Sequence, residues 1–360
     1  MNPLQAKHIP VSPHTALDMM RALGEKVAAR YPAAKLVIGF AETATAIGAV
    51  VAETLGADCA YITTTREHYA DGEWTEFAEE HSHAAEQFID AAAVNKHLAN
   101  TDTVVFVDDE FSTGRTLLNI VNNLRRNSTH WQAQKIVAAS ILYRLSPDNE
   151  QQWHDNGIAG ESLLKISPAT YTPPSNLQAP LLRGAGAKSL PGSRGGSPCG
   201  VCGNAPIKKK LPNPRRGTTS GEYRSACASL AAHIGNKIKS NGELAELQKA
   251  RRLLVLGSEE CMYPALVVGQ YLEQILPQTQ IFCHATTRSP IGVSDAPGYP
   301  IYNGYVLPSL YDAERTTYIY NVAAYDAAII VTDAPNVIEE SRQALADVLT
   351  AEGTPQIVFL

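Results

Sequence analysis

Two adjacent carboxylates followed by a short polar turn are the residues of this chain best suited to chemistry. Asp108 and Asp109 come directly after the apolar residues 104–107, and an apolar-faced helix follows from Leu117. The turn between them holds hydroxyl groups, one glycine and one arginine: Ser112, Thr113, Gly114, Arg115 and Thr116. The pattern predicts a buried strand, a tight loop and the first turn of a helix. Free backbone N–H groups and the helix dipole attract a phosphate at such a loop, and the carboxylates can accept hydrogen bonds from a sugar diol.

Strands and helices alternate through the first half of the chain, and this alternation decides where the motif lies. The apolar patterns predict the following elements: strands at residues 36–40, 60–64, 104–107 and 135–142, and helices at residues 15–31 and 47–55. Such an order is typical of an α/β fold with a largely parallel sheet. Ligands of such folds bind beyond the carboxyl ends of the strands, so the turns that follow the strands are the candidate binding positions.

The motif around Asp108 resembles the phosphoribosyl-pyrophosphate loop of the type I phosphoribosyltransferases. That family has an apolar strand, two acidic residues, two spacer residues and then Thr-x-Gly-x-Thr, and Ser112, Gly114 and Thr116 occupy the last of these positions. Glu110 departs from the pattern, because most members carry an apolar residue there. An extra carboxylate could alter metal binding or the pocket of the second substrate. The alternative is a strand–turn–helix with no nucleotide-related role.

The resemblance implies a reaction in which phosphoribose moves from phosphoribosyl pyrophosphate to a small base-like acceptor, with Mg²⁺ held through the substrate. It implies that the 5-phosphate binds the loop at residues 112–116, and that Asp108 and Asp109, with Glu110 beside them, face the ribose hydroxyls and indirectly Mg²⁺. The pyrophosphate is expected against the turn after the first strand, which consists of Ala41, Glu42, Thr43, Ala44 and Thr45.

Several charged residues near these turns have more than one possible role. Glu42 could orient Mg²⁺ or an amine, or it could simply be a carboxylate favoured by the helix dipole. Arg66, after the second strand, could neutralise pyrophosphate or the second substrate, or lie at the surface. Arg115 could add charge to phosphate binding or point into solvent.

Residues 67–88 occupy the place where this fold carries a mobile loop over the site. The segment is rich in His and Glu, and its candidates for contact with the second substrate are Glu79, His81 and His83. Proton transfer by a histidine, a metal site and a solvated loop are the alternatives.

The order of motifs recurs in the second half of the chain, which indicates an internal repeat. The segment at residues 253–260 resembles that at residues 36–42, with Gly257 corresponding to Gly39 and Glu260 to Glu42. Residues 285–288 match residues 63–66, and residues 325–333 match residues 101–109. The phosphate loop has no counterpart in the second copy, because Ala-Pro-Asn-Val follows Asp333. The predicted fold class is therefore α/β, with two parallel-sheet phosphoribosyltransferase-like domains of which the second is degenerate.

The run Thr287-Arg288-Ser289-Pro290 resembles the signature of the TRSP domain, which follows an orotate phosphoribosyltransferase-like domain in proteins of tellurium-resistance and stress-response operons. This resemblance implies a role in making a nucleoside-like metabolite. The repeat places these residues at the carboxyl ends of the second set of strands: Glu259, Glu260, Tyr263, Thr287, Arg288, Ser289 and Asp333. They could form a second site that holds or acts on the product of the first. The alternative is a decayed copy retained for packing or dimerisation.

Composition divides the chain and limits its location. We expect a phosphoribosyltransferase domain at residues 1–166, a basic Pro/Gly-rich linker at residues 167–220 and a TRSP domain at residues 221–360. The 360 residues carry a net charge of −6, and no signal peptide or apolar stretch long enough for a membrane is evident, which favours a cytoplasmic protein. Within the linker, Cys199 and Cys202 could bind zinc or form a redox pair, but an unliganded turn is favoured because zinc needs four ligands.

The leading hypothesis is a Mg²⁺-dependent phosphoribosyltransferase, with a homodimer carried over from type I relatives. One rival is a regulatory protein that binds phosphoribosyl pyrophosphate or a nucleotide without turnover. The other is an RNA-interacting module that uses the basic linker, including Lys208, Lys209 and Lys210. Nucleic-acid binding ranks last because the linker has few aromatic residues on which bases could stack.

Overall fold

The computed structural model describes residues 2–78, 86–127, 131, 134–167, 172–182, 201–204, 211–240 and 244–360. Within them the helices are α1 (Pro13–Arg30), α2 (Ala44–Leu55), α3 (Ala91–Leu98), α4 (Arg115–Asn127), α5 (Pro147–Asp155), α6 (Ser220–Lys239), α7 (Met262–Ile275) and α8 (Glu339–Ala351). The strands of the first half are β1 (Leu36–Gly39), β2 (Ala60–Thr63), β3 (Trp74–Ala78), β4 (Glu86–Asp90), β5 (Thr103–Phe111), β6 (Lys135–Tyr143) and β7 (Ile158–Lys165). The remaining strands are β8 (Leu181–Leu182), β9 (Val201–Asn204), β10 (Thr218–Thr219), β11 (Arg252–Gly257), β12 (Gln280–Ala285), β13 (Gly304–Pro308), β14 (Thr316–Tyr320), β15 (Ala327–Val331) and β16 (Gln356–Phe359).

The described residues divide into two compact units. The first unit comprises those within residues 17–171 and 211–226, and the second those within residues 1–16, 172–210 and 227–360. The division differs from the one expected from composition, because residues 211–220 of the proposed linker belong to the first unit and residues 1–16 to the second. Local composition cannot reveal either assignment, since both depend on pairing with distant strands.

The first unit is built on a six-stranded sheet in the order β10-β2-β1-β5-β6-β7, with every neighbouring pair parallel except β10 and β2. Strands β1 and β2 and the first five residues of β5 are buried, because a parallel sheet covered on both faces needs apolar residues along its whole length. A separate antiparallel hairpin is formed by β3 and β4.

Strand β5 is longer than the expected residues 104–107. It continues through Asp108, Asp109 and Glu110 to Phe111, because the neighbouring β6 supplies pairing partners as far as Tyr143. The three carboxylates therefore lie in the last residues of the strand rather than in the loop that follows it. Their spacing is rigid, since both flanking segments are part of the sheet.

The second unit repeats this arrangement. Its sheet has the order β12-β11-β15-β16-β9, in which the first four strands correspond to β2-β1-β5-β6. Gly39 pairs with Thr63 and Val107, whereas Gly257 pairs with Ala285 and Val331, so the register is the one expected from the sequence repeat. An antiparallel hairpin, β13 with β14, again follows the second strand. The expected α/β fold with two parallel sheets is confirmed.

The described residues include no helix long and apolar enough to cross a membrane.

The strand–turn–helix at the start of each unit requires glycine at the strand end. A Cβ on Gly39 would lie 2.9 Å from the carbonyl oxygen of Ala44, and one on Gly257 would lie 2.6 Å from that of Cys261. Both distances are shorter than real contacts allow, and both neighbours are backbone atoms. The turn can therefore fold back onto the strand only where no side chain stands.

We predict that Gly257→Ala lowers the free energy of unfolding of the second unit by about 2 kcal/mol, because the backbone of the turn must move to admit the methyl group. The measurement is urea unfolding followed by circular dichroism. Gln343→Ala, at an exposed position of α8, is the matched control and should change stability by less than about 0.5 kcal/mol. Equal stability of the two variants would contradict the tight approach.

Candidate active site

The two carboxylates at the end of β5 are accessible. Asp108 and Asp109 are each partly exposed, and the backbone N–H of Asp109 donates a hydrogen bond of 2.8 Å to Asp108 Oδ1. Oxygen atoms of this kind are the ligands that Mg²⁺ prefers. Within the described parts of the chain, no group of three or more His, Cys, Asp or Glu side chains is placed to hold a metal. Asp108 and Asp109 are the residues here that could hold Mg²⁺ together with a substrate.

Glu110 has a partner that sequence patterns did not reveal. Arg144, one residue beyond β6, donates a hydrogen bond of 2.7 Å from Nη1 to Glu110 Oε1. Both side chains are partly exposed, so the pair contributes little to stability but fixes a guanidinium beside the carboxyl end of the sheet. The unusual acid of the motif is therefore part of an ion pair.

The loop after β5 carries hydroxyl groups next to the start of a helix. Ser112 and Arg115 are exposed, and Thr113 and Thr116 are partly exposed. Helix α4 starts at Arg115, and its first turn contains no acidic residue. Hydroxyl groups and an arginine thus lie in the turn that leads into a helix start, and the first turn of that helix has no acidic residue that would oppose an anion.

Gly114 and Trp153 hold that loop together. Gly114 has φ +71°, and its carbonyl oxygen accepts a hydrogen bond of 3.1 Å from Trp153 Nε1, on α5. Trp153 is buried and packs edge-on against Phe111, with ring centroids 5.0 Å apart. Sequence analysis did not single out Trp153. Its neighbours in the sequence, residues 150–156, are polar, and no local pattern connects it with a turn 39 positions away.

A closed set of hydrogen bonds shapes the turn after β1. The N–H of Ala41 donates to Thr64 Oγ1 (2.7 Å), Thr64 Oγ1 donates to Gln87 Oε1 (2.7 Å), and Gln87 Nε2 donates to the carbonyl of Ala41 (3.0 Å). All three residues are buried. Gln87 lies on β4, so the hairpin is tied directly to the turn expected to face pyrophosphate.

The other residues of this turn are mostly buried. Ala44, Thr45 and Glu42 are buried and Thr43 is partly exposed. The carbonyl of Thr45 accepts a hydrogen bond from the Tyr61 hydroxyl, and Thr45 Oγ1 donates 3.1 Å to the carbonyl of Glu42. These hydrogen bonds hold the backbone of the turn in a fixed conformation.

Arg66 follows β2 and is 9% exposed, so a surface position for it was wrong. The candidates Glu79, His81 and His83 lie outside the described residues. Strands β3 and β4 are described, and the base of the hairpin that they form is held by aromatic and charged contacts.

Arg216 supplies these contacts. Its guanidinium lies 4.9 Å from the ring centroid of Tyr69 and 4.7 Å from that of Trp74. It also donates 3.0 Å to Asp90 Oδ2 and forms an ion pair with Asp71. A residue that sequence analysis assigned to a basic linker therefore anchors the β3–β4 hairpin. Of the other linker candidates, Cys199, Lys208, Lys209 and Lys210 lie outside the described residues, and the side chain of Cys202 is not described.

In the second unit, the expected residues do lie at the carboxyl edge of the sheet. Glu259, Glu260, Tyr263 and Thr287 are buried, and Arg288, Ser289 and Asp333 are partly buried. Arg288 Nε donates 2.6 Å to Glu259 Oε2. Sequence analysis missed Lys7, whose Nζ donates to the carbonyls of Glu259 (2.8 Å) and Thr286 (3.0 Å).

Comparison with known proteins agrees with this geometry. Residues 4–164 match the model of the phosphoribosyl transferase family, and residues 214–349 match that of the TRSP domain C-terminal to it. The chain therefore carries a phosphoribosyltransferase domain followed by a TRSP domain. The expected enzyme class is thereby confirmed.

Solved structures similar to the chain include adenine phosphoribosyltransferases. That of Giardia lamblia, complexed with 9-deazaadenine, is 19% identical, with 42% of this chain and 81% of that chain covered and a TM-score of 0.34. That of Trypanosoma brucei, in complex with AMP, pyrophosphate and ribose-5-phosphate, is 19% identical over 41% of this chain and 64% of that chain, with a TM-score of 0.31. A hypothetical protein from Neisseria gonorrhoeae with bound ppGpp is 13% identical over 45% of this chain and 85% of that one, with a TM-score of 0.29. No curated protein matches the chain.

We predict that Gly114→Ala lowers the free energy of unfolding of the first unit by about 2 kcal/mol. An alanine at this position would have to adopt a positive φ, and its Cβ would lie 2.4 Å from Trp153 Nε1. Tryptophan fluorescence during urea unfolding reports on this unit alone, because Trp74, Trp131 and Trp153 all belong to it. Ser112→Ala, at an exposed position of the same loop, should leave the transition unchanged. A wild-type transition in Gly114→Ala would show that Trp153 does not hold the loop.

His284 makes the stability of the second unit depend on pH. It is 1% exposed on β12, and neither ring nitrogen has a hydrogen-bond partner. Burial, with a smaller contribution from Lys7, lowers the pKa of His284 to about 3. As the pH falls below about 6.5, the unfolded chain binds a proton at His284 that the folded chain does not bind. The contribution of His284 to the free energy of unfolding is therefore fully present above that pH and is lost as the pH drops.

Between pH 7 and pH 5 we predict that wild type loses about 2 kcal/mol through this residue. His284→Ile, which introduces the residue found at the equivalent Ile62, should remove that part of the loss. Calorimetric unfolding at both pH values measures it. Equal pH dependence of wild type and variant would contradict the assignment.

Proposed function

We propose that the protein transfers a phosphoribosyl group from phosphoribosyl pyrophosphate to a small base-like acceptor in a Mg²⁺-dependent reaction. The observation that carries the proposal is the loop at residues 112–116, where exposed hydroxyl groups precede a helix without acidic residues in its first turn. The family match of the same unit supports it. In the second unit the corresponding helix α8 starts with Glu339 and Glu340, which would repel a phosphate.

Each part of the donor has candidate partners. The 5-phosphate is assigned to Ser112, Thr113, Gly114, Arg115 and Thr116. The ribose hydroxyls and, through the substrate, Mg²⁺ are assigned to Asp108 and Asp109. The diphosphate is assigned to the turn formed by Ala41, Glu42, Thr43, Ala44 and Thr45, with Arg66 nearby. This set combines anion-binding groups at both ends of the ribose with oxygen ligands between them.

The reaction breaks the bond between C1 of the ribose and the diphosphate oxygen while the acceptor forms a new bond to C1. Positive charge develops on the sugar, so the chain needs only to position the reactants, stabilise the departing diphosphate and exclude water. Preformed turns serve this purpose well, because they need not reorganise during the reaction. The buried hydrogen bonds among Ala41, Thr64 and Gln87 support such a role for the turn after β1.

The acceptor is assigned to the hairpin side of the site. Glu79, His81 and His83 are proposed to contact it, and Glu110 with Arg144 to border its pocket. Since Arg144 is held by Glu110, a fixed guanidinium would be available to an electron-rich edge of the acceptor.

We further propose an orotate phosphoribosyltransferase-like subtype that works in the cytoplasm as a homodimer. We also propose a role in making a nucleoside-like metabolite in tellurium-resistance and stress-response systems, on the basis of the resemblance of residues 287–290 to the TRSP signature. Light scattering of the purified chain tests the dimer, and a mass equal to one chain would contradict it.

Calorimetric titration of phosphoribosyl pyrophosphate with Mg²⁺ tests the donor site. We predict that wild type binds and that Asp108→Asn/Asp109→Asn weakens binding about tenfold or more, because charged acceptors for the ribose hydroxyls are lost. Asp102→Asn, an exposed acid just before β5, is the matched control and should bind as wild type does.

Three results would contradict parts of the proposal. Absence of binding by wild type would mean that the loop serves another phosphorylated ligand. Unchanged binding by the double variant would place the ribose elsewhere. Binding without pyrophosphate release on addition of candidate bases would favour a regulatory protein.

A further inference from the structure

The turns after the first strand are equivalent in the two units. In the first unit the N–H of Ala41 donates 2.7 Å to Thr64 Oγ1, and in the second the N–H of Glu259 donates 3.0 Å to Thr286 Oγ1. The threonines also match one another, because Thr64 N–H bonds to the carbonyl of Gly39 and Thr286 N–H to that of Gly257, each at 3.0 Å. Glu259 therefore stands where the first unit has Ala41.

This substitution adds a carboxylate to the turn, and the carboxylate is enclosed by donors. Glu259 Oε2 accepts from Arg288 Nε at 2.6 Å and from Arg315 Nη1 at 3.3 Å, and Oε1 accepts from the Ser309 hydroxyl. Glu259 is 2% exposed. Two guanidinium groups around one buried carboxylate form the kind of arrangement that elsewhere binds a phosphate.

These hydrogen-bond donors come from positions that correspond to Arg66 and the β3–β4 hairpin of the first unit. Arg288 matches Arg66 in the repeat. Ser309 and Arg315 lie in the turn of the β13–β14 hairpin, which corresponds to the β3–β4 hairpin, because Thr287 pairs with Tyr318 as Thr65 pairs with Phe88. The second unit thus has its hairpin turn fastened onto the turn after its first strand.

The same hairpin turn engages the counterpart of the ribose carboxylates. Tyr311 donates from its hydroxyl to Asp333 Oδ1, and Asp333 corresponds to Asp109. Ser258 Oγ lies 2.9 Å from the Tyr311 hydroxyl and donates 2.7 Å to Thr332 Oγ1, where Thr332 corresponds to Asp108. Side chains of this chain therefore contact both the anion position and the sugar position of the second crevice.

We propose that the Glu259 carboxylate acts as a built-in anion that occupies the diphosphate subsite of the second unit. The second unit keeps the arginine and the hairpin of a donor site, but both contact its own Glu259. The wild-type protein therefore binds no diphosphate in this unit. Removing the carboxylate leaves Arg288 and Arg315 without it and creates a diphosphate site. The assignment of this subsite to diphosphate rests on the proposed function of the first unit.

The test uses the full-length chain and inorganic pyrophosphate as the probe. Calorimetry is carried out on wild type, Glu259→Ala and Glu259→Ala/Arg288→Ala. We expect Glu259→Ala to bind one more equivalent of pyrophosphate than wild type, and the double variant to return to the wild-type stoichiometry. At a concentration about 100 times the dissociation constant, pyrophosphate should raise the melting temperature of the second unit of Glu259→Ala by about 5 °C.

Loss of the carboxylate can also destabilise the unit, because two arginines lose a buried partner. If Glu259→Ala does not fold in buffer, we expect pyrophosphate to restore its circular dichroism, whereas the double variant should not respond. Tryptophan fluorescence, which reports only on the first unit, should stay at its wild-type value throughout.

A folded Glu259→Ala with wild-type stoichiometry overturns the proposal, and so does an unfolded one that pyrophosphate does not restore. Equal gains by the single and double variants also overturn it, because Arg288 would then not belong to the site. Failure of wild type to bind phosphoribosyl pyrophosphate contradicts the proposed function alone, since the gain in Glu259→Ala is measured independently of it.

Discussion

A hydrogen bond from the N–H of a turn residue to a threonine hydroxyl fixes the carboxyl edge of the sheet in both units. The threonine lies just beyond the second strand, and the turn follows the first, so the bond ties the ends of two neighbouring parallel strands. In the first unit it is extended by Gln87, which joins the hairpin to the same turn. Because Ala41, Thr64 and Gln87 are all buried, removing one group would leave the others unsatisfied away from water. The shape of the turn is therefore coupled to the position of the hairpin.

The two units show how one framework can diverge without losing its strand order. Where the first has an alanine, the second has Glu259, and where the first has Gln87, the second has Thr317, which instead donates 3.3 Å to the carbonyl of Leu307. Two acidic residues at the start of α8 oppose an anion at the position of the old phosphate loop. These changes act together, since a unit that carries its own internal carboxylate gains nothing from a phosphate loop. The buried sheet tolerates them because they lie beyond the ends of the strands.

The parts of the fold that were predictable from the sequence are those recorded in local patterns. Apolar runs gave the core strands and the parallel sheet, and the Asp108–Thr116 motif gave the class of enzyme. The internal match of the two halves gave the repeated strand order. Trp153, Arg144 and Lys7 were missed because their roles depend on contacts with residues far along the chain. Strand β5 was expected to end early because its polar residues look like loop, whereas pairing with β6 keeps them in the sheet.

The edge of the first sheet is completed by residues at the C-terminal end of the basic segment. Thr218 and Thr219 pair with β2, and Arg216 lies against Tyr69 and Trp74 while it contacts Asp90. A guanidinium between aromatic rings and a mostly buried carboxylate can be held only where all of these groups are ordered together. The base of the hairpin, and with it Gln87 and the turn at Ala41, therefore depends on residues at the end of the segment that was expected to be a linker. A donor site built from residues 1–166 alone would lack the support that fixes one of its walls.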